Sequence, residues 1–310
     1  MTRALLYDAT GKDREIQLKE LKLSKLGSNQ LLWIDTTWKE SVAPKNFPEK
    51  IRKSLASADE AGALEILDDH YRFAVSVRGD EKAKLAFVVG NSWLVTLADE
   101  RPAFFDDFIE ADRGETLKGK MTPTAMAASL LLRHLDEYRA DVAEIDSAID
   151  KLDETILRSR EKRAPLTTLA ALRRRVSRLR ATLSDQRSVI HGLITPDFLA
   201  HVDEGDHPYL MQTNRAFERL EDDVVRARET VVGAFELYAT RVAQDTNQLV
   251  KALTIATVIT GIIGAVAGVF GMNFDTPMTH SGLPGFLIVT AGMSAASIAI
   301  VGIAFWRRWL

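Results

Sequence analysis

The sequence contains no cysteine in its 310 residues, so neither a disulfide nor a thiolate metal site can form. It also lacks a strong excess of charge of either sign. The formal net charge is −3 and the isoelectric point is near 6.1, which gives no argument for nucleic acid as a partner. The sequence has no glycine-rich phosphate loop and no Ser/His/Asp arrangement with a meaningful spacing. We therefore predict that the protein is not an enzyme and has no cofactor.

Charged side chains are missing from two long stretches near the C-terminus. Residues 252–274 contain none, and residues 276–306 contain none apart from His280. A bilayer core about 30 Å thick needs about 20 apolar residues of helix, and both stretches are long enough. Gly, Pro, Asn and Thr are frequent in the segment between them, which indicates a loop. We predict transmembrane helices at 252–273 and 284–306, joined by a loop at 274–283; two buried core helices are the alternative.

The predicted loop has no Lys or Arg, whereas the other helix ends do. Arg241 and Lys251 precede the first helix, and the basic tail 307–310 follows the second with Arg307 and Arg308. Basic residues flanking membrane helices stay on the cytoplasmic side. The charge pattern thus predicts a multi-pass protein of the inner (plasma) membrane, with both termini cytoplasmic and the loop outside.

Residues 1–120 predict a cytoplasmic α/β domain. Runs rich in β-branched and aromatic residues predict strands at 4–7, 31–36, 71–77, 84–89 and 92–97, the last two flanking a Gly90-Asn91 hairpin signal. Short helices are predicted at 48–58, 60–67 and from Pro102 to Ile109. Several acidic residues and one histidine could bind a metal in principle, although a solvated charged surface is the favoured interpretation: Asp35, Asp68, Asp69, His70, Asp106 and Asp107.

Residues 121–206 predict antiparallel helices. Thr122-Pro123 is typical of a helix start, and apolar residues then recur at helical spacing up to a stop before Pro165. A second helix is predicted from about Leu166 to Leu193, and acidic residues on the first helix supply counter-charge to its basic run, Arg173-Arg174-Arg175. Beyond Pro208 an apolar stripe continues through 207–251 into the membrane segment, which predicts one long stalk helix that packs against neighbouring helices.

The C-terminal segment resembles the CorA family of divalent-cation transporters. The residues that carry the resemblance are Asn247 to Thr254, the Gly271-Met272-Asn273 triplet at the outer end of the first membrane helix, and the basic ending at 307–310. The order of an α+β domain, long helices and a membrane pair also matches. The resemblance implies a CorA-like homopentamer in membrane lipid, in which the first membrane helix of each subunit lines a pore.

The resemblance also implies the cargo and the site. Magnesium is the usual ion, and cobalt and nickel are often tolerated. Gly271, Met272 and Asn273 would form the selectivity filter, with Asn273 binding the cation through its hydration water and Asp275 as a weak further ligand. The predicted pore-lining residues are Asn247, Val250, Leu253, Thr254, Thr257, Gly261 and Gly264.

The sequence departs from the family pattern at three positions. Gly261 stands where a bulky apolar residue is common, Ile262 where proline is common, and Gly264 where a hydroxyl is common, so packing glycines are an alternative to a hydrophobic gate. The Arg-rich second helix with Gln186-Arg187 is similar to the ZntB zinc branch, which makes zinc the alternative cargo. A membrane-anchored coiled-coil protein without transport is the alternative of another class, although polar residues such as Thr254 and Thr257 favour a water-lined path.

Overall fold

The computed structural model describes residues 2–9, 13–17, 26–27, 29–39, 47–58, 64–110, 121–158, 163–272 and 282–306. It divides into two compact units. Unit 1 comprises Met1–Lys151 and Thr168–Val232, and unit 2 comprises Leu152–Thr167 and Gly233–Leu310.

Unit 1 contains a seven-stranded mixed sheet with the order β2-β1-β3-β7-β6-β5-β4. Its strands are β1 (Arg3–Asp8), β2 (Arg14–Glu15), β3 (Gln30–Thr37), β4 (Glu65–Ile66), β5 (His70–Val77), β6 (Asp80–Gly90) and β7 (Trp93–Ala98). The central pair, β3 and β7, is parallel, and the other neighbours are antiparallel. Every residue of β7 is buried, as expected for a strand covered on both faces. The predicted strands are confirmed.

The helices are α1 (Glu49–Ala56), α2 (Phe104–Glu110), α3 (Pro123–Arg158), α4 (Arg163–Gly192), α5 (Pro196–Leu199), α6 (His207–Gly271) and α7 (Leu283–Trp306). Alternate residues of β3 divide between the two faces of the sheet: Leu32 and Ile34 belong to the apolar cluster with α1, whereas Trp33 contacts Phe105 and Phe108 of α2 edge-on. This period of two is what a strand between two layers requires.

The predicted helix at 60–67 is wrong in the part that the structure describes. Glu65–Ile66 form the edge strand β4, with Glu65 opposite Arg72 of β5. Arg72 holds the Glu65 carboxylate at 2.7 Å and also donates to the carbonyl oxygen of Ser54 in α1. These contacts with distant residues decide the conformation of a short segment whose local pattern is ambiguous.

The hairpin between β6 and β7 is confirmed, but Gly90 serves a different purpose from the predicted turn. Gly90 is the last residue of β6 and lacks the positive φ of a turn glycine. A Cβ atom there would lie 2.3 Å from Cε2 of Trp93, so glycine is required by the close approach of the indole ring.

The apolar stripes predicted for the long helices are confirmed. Thr122 caps α3, its Oγ1 accepting from the Ala125 amide at 3.0 Å. The stripe residues of α3, α4 and α6 are buried: Leu131, Leu135, Tyr138, Val142, Ile145, Ile149, Leu152, Ile156; Leu169, Leu172, Val176, Leu179, Leu183, Ile190; Phe217, Leu220, Val224, Ala227, Val231 and Ala234. The start of α4 is three residues earlier than predicted, with Pro165 in its first turn, where a missing N–H costs nothing.

A buried polar cluster joins the sheet to α3 and α4 in unit 1. The carbonyl oxygen of Ser76, beside a register shift in β5, accepts from His134 Nε2 at 3.0 Å, Tyr138 Oη at 2.8 Å and Gln186 Nε2 at 3.1 Å. Since a carbonyl oxygen only accepts, His134 carries its proton on Nε2. Complete burial lowers the pKa of His134 to about 4, although the hydrogen bond to Ser76 opposes this shift.

Acid should therefore destabilise the protein through His134. Below pH 6.5 His134 binds a proton in the unfolded chain, but in the folded chain it stays neutral until about pH 4. As pH falls through this window, the free energy of unfolding therefore falls by about 1.4 kcal/mol per pH unit, or about 3 kcal/mol in all. Thermal unfolding of the detergent-solubilised protein at pH 7 and pH 5 measures the loss. His134→Gln should flatten the dependence and the exposed control His201→Gln should not; equal slopes for both variants would contradict the assignment.

Candidate functional site

Most of the predicted site residues lie on a single helix in unit 2. Residues 247–271 form the C-terminal part of α6, which includes all seven predicted pore-lining residues and Gly271. At about 100° per residue, positions 247, 250, 253, 254, 257, 261 and 264 fall within an arc of about 120°. The helix therefore brings the predicted residues to one face, which we call the α6 polar face.

The α6 polar face presents hydroxyls and open backbone to the exterior of the chain. Thr254 Oγ1 donates to the Val250 carbonyl oxygen at 2.8 Å and Thr257 Oγ1 to that of Leu253 at 2.9 Å, so each hydroxyl oxygen keeps its acceptor capacity. Among the residues that the structure describes, no side chain lies within 4 Å of the Cβ position of Gly261 or Gly264. The face is therefore uncharged, with exposed backbone at its two glycines.

Gly268, which also lies on this face, is not among the pore-lining residues predicted from the sequence. Gly268 lies seven residues after Gly261, inside the same arc, and also has nothing within 4 Å of its Cβ position. The signal was present in the sequence, because positions seven residues apart return to nearly the same side of an α-helix.

Another side of α6 is shielded within unit 2. Ile255 is buried, and Ile259 and Val266 are half-buried, on the side of the helix opposite the α6 polar face. The shielded residues of α7 recur every three or four positions: Gly285, Val289, Met293, Ser297, Ile300 and Ala304. Three of these six residues are small (Gly285, Ser297 and Ala304), as is common where membrane helices pack closely. The α6 polar face, by contrast, is exposed in the single chain.

Gly271 and Met272 of the predicted filter lie at the end of α6. Gly271 is the last residue of the helix, but it does not adopt the left-handed conformation expected of a glycine that ends a helix sharply; Gly282, just before α7, does, with φ of 60°. The Met272 amide donates to the Val269 carbonyl oxygen at 3.2 Å and its side chain is exposed. Asn273, Asp275 and His280 lie outside the described residues.

The candidate metal ligands of the N-terminal domain do not form a site. Among the residues described, no group of three or more His, Asp or Glu side chains could hold a metal. Asp35 and Asp106 both bind Arg101, at 2.5 Å each, and Asp68 lies 3.5 Å from Lys50. Asp35 and His70 are buried, so the interpretation as a solvated charged surface is wrong for these two residues. It holds for the other four, which are exposed: Asp68, Asp69, Asp106 and Asp107.

The apolar character of both C-terminal helices extends over membrane-spanning lengths. The segments Glu204–Gly271 and Leu283–Trp306 are each long and apolar enough to cross a bilayer, with a mean hydropathy of 2.2 over their most apolar windows. Their apolar side chains are largely exposed in the single chain, unlike those of a soluble core helix.

Solved structures with the same fold include a magnesium transporter. The complete structure of the CorA magnesium transporter from Methanocaldococcus jannaschii superposes with a TM-score of 0.75 at 17% identity, over 99% of this chain and 98% of that one. The full-length CmaX protein superposes with a TM-score of 0.69 at 18% identity, over 99% and 97%. At these identities the likeness establishes the fold.

Sequence comparison identifies the family. The cobalt/magnesium transport protein CorA of Thermotoga maritima is 29% identical over 182 residues, which are 59% of this chain and 51% of that protein. The match thus spans about half the length of this curated relative. The family model described as CorA-like Mg²⁺ transporter protein matches residues 46–308, which include most of both units and both apolar helices. The chain belongs to the family of CorA-like Mg²⁺ transporter proteins.

Proposed function

We propose that the protein is a divalent-cation channel or transporter of the inner membrane, in which the α6 polar faces of a homopentamer surround a pore. The α6 polar face carries this proposal. It is uncharged, bears Thr254 and Thr257 hydroxyls, and stays uncovered while another side of the same helix is shielded. Polar residues in a membrane span are costly unless they face protein or water, so a water-lined path explains them better than a lipid anchor does.

Magnesium is the proposed main cargo, since the curated relative is named as a cobalt/magnesium transport protein and the solved relative as a magnesium transporter. Mg²⁺ sheds its waters reluctantly, so a filter must bind it with the hydration shell in place. A ring of Asn273 carbonyl oxygens would accept hydrogen bonds from those waters. Moderate binding of this kind allows the ion both to enter and to leave.

The proposed orientation has both termini in the cytoplasm, supported by the basic residues at the inner ends of the two apolar helices. An inside-negative membrane potential then favours cation entry by about 2.3 kcal/mol per charge per 100 mV. Cation uptake is the direction that this gradient drives without another energy source.

Purified protein in liposomes is expected to admit Mg²⁺, and Co²⁺ or Ni²⁺ less readily. The measurement compares uptake of Mg²⁺, Co²⁺, Ni²⁺ and Zn²⁺ side by side, with and without a pH gradient, and determines the mass of the oligomer in detergent. Zn²⁺ flux that requires the pH gradient would replace magnesium with zinc as the cargo. A monomer or dimer by mass, or a pentamer without flux of any of these ions, would contradict the pore.

A further inference from the structure

Unit 1 contains a cavity of about 390 Å³ that the transport site does not use. It lies between the β5–β6 turn and the helices α3 and α4, and its polar lining comprises Arg78, Gly79, Asp141, Arg175, Arg178 and Thr182. Gly79 forms the turn with φ of 84°, and within the described part of the chain no heavy atom beyond its sequence neighbours lies within 4 Å of its Cβ position. The size is in the range of small-molecule sites in proteins.

The single carboxylate in this lining already accepts three hydrogen bonds. Asp141 Oδ1 accepts from Arg78 Nη2 at 2.7 Å and from Arg175 Nη2 at 2.9 Å, and Oδ2 accepts from Arg78 Nε at 2.8 Å. Burial alone would raise the pKa of Asp141, but the hydrogen bonds from the two guanidinium groups outweigh it and keep the pKa below its ordinary value. Asp141 therefore stays ionised and offers little further capacity to a ligand donor.

Donors, by contrast, remain available. Arg175 meets both Asp141 and Glu144 through Nη2, so its Nε and Nη1 have no hydrogen bond to any residue that the structure describes. Arg178 is exposed and has no hydrogen bond or ion pair within the described part of the chain. The cavity thus offers guanidinium N–H donors from α4, whereas its carboxylate already accepts three hydrogen bonds. Such a site favours a ligand that bears several hydrogen-bond acceptors.

The lining of the cavity is itself positively charged, although two further carboxylates lie nearby. Its lining has three arginines, Arg78, Arg175 and Arg178, against the single carboxylate of Asp141, an excess of two positive charges. Glu144 neutralises part of this excess through Arg175, but its side chain is 65% exposed and faces solvent. Glu137 contributes a more distant negative charge near Arg78.

We infer that this cavity binds a small phosphate-bearing anion, held by Arg175 and Arg178 with Arg78 behind them. Several guanidinium donors suit a phosphate group, which has many acceptor oxygens, better than they suit a carboxylate ligand, which has two. Arg78 already binds both oxygens of the Asp141 carboxylate. This inference is independent of the proposed transport function.

Calorimetric titration of the full-length protein in detergent, with a chelator to remove divalent cations, tests the inference with two probes. Inorganic pyrophosphate represents a free phosphate ligand, and adenosine monophosphate represents a nucleotide. Arg178→Gln should weaken binding of the recognised probe by about tenfold or more, because a charge-assisted hydrogen bond is lost. Arg180→Gln is the matched control, since Arg180 is an exposed arginine of the same helix outside the cavity.

Pyrophosphate binding without binding of adenosine monophosphate would identify a free phosphate source, and binding of adenosine monophosphate would identify a nucleotide. Absence of binding of both probes at millimolar concentration would overturn the inference. Equal weakening by Arg178→Gln and Arg180→Gln would also overturn it, because the effect would then be one of general surface charge.

Discussion

Replacing Asn273 with alanine is expected to abolish cation flux while leaving the oligomer intact. In the proposed pore the Asn273 carbonyl oxygens accept hydrogen bonds from the water shell of the ion, and alanine has no acceptor to replace them. A hydrated Mg²⁺ would then lose its binding site at the mouth without gaining another, because Mg²⁺ does not readily exchange its waters for protein ligands. Liposome uptake of Mg²⁺ measures the flux, and light scattering in detergent measures the assembly.

Asn273→Asp is the informative companion variant. It keeps a ring of oxygen acceptors of nearly the same size but adds a negative charge in each subunit. We expect it to bind Mg²⁺ more tightly and to conduct it more slowly, since a deep trap delays exit. Flux at the wild-type rate in Asn273→Ala, with a verified oligomer of unchanged mass, would remove Asn273 from the filter.

Replacing Gly261 with phenylalanine is expected to reduce flux by about tenfold or more. Gly261 lies in the middle of the arc formed by the α6 polar face, and no side chain lies within 4 Å of its Cβ position. In a symmetric pore every subunit would project one phenyl ring toward the axis. A ring of apolar groups at a constriction excludes water as well as occupying space, so a hydrated cation meets a barrier there.

Ala256→Phe is the matched control for Gly261→Phe. Ala256 is also exposed in the single chain, but it lies about 140° away around the helix, outside the α6 polar face. The same added ring should therefore point away from the pore and leave the flux near that of the wild type. Equal loss of flux in both variants would mean that the α6 polar face does not line the path.

The sequence was informative wherever structure depends on near neighbours in the chain. The apolar stripe from Leu131 to Ile156 follows the helical period and is buried throughout. The run rich in β-branched and aromatic residues at 31–36 predicted a strand, and β3 (Gln30–Thr37) confirms it. The two uncharged C-terminal stretches predicted the apolar helices that end α6 and form α7. A pattern repeated over several turns outweighs local ambiguity.

The candidate site was predictable to a similar extent, because its residues share one helix. The positions from Asn247 to Gly264 meet on one face by helical geometry alone, and the resemblance to a transporter family supplied their proposed role.

Contacts between separate strands and helices were decided only by the tertiary structure, whether the residues are near or far apart in the chain. The edge strand at Glu65–Ile66 exists because β5 and Arg72 lie beside it, and Gly90 is glycine because the ring of Trp93 covers it. The cluster on the Ser76 carbonyl and the cavity between Arg78 and Arg178 each join a strand end to two helices. The sequence alone determined which residues are helical, extended or membrane-compatible, because periodicity is local. Only folding determined which polar groups meet, because that depends on how separate elements pack.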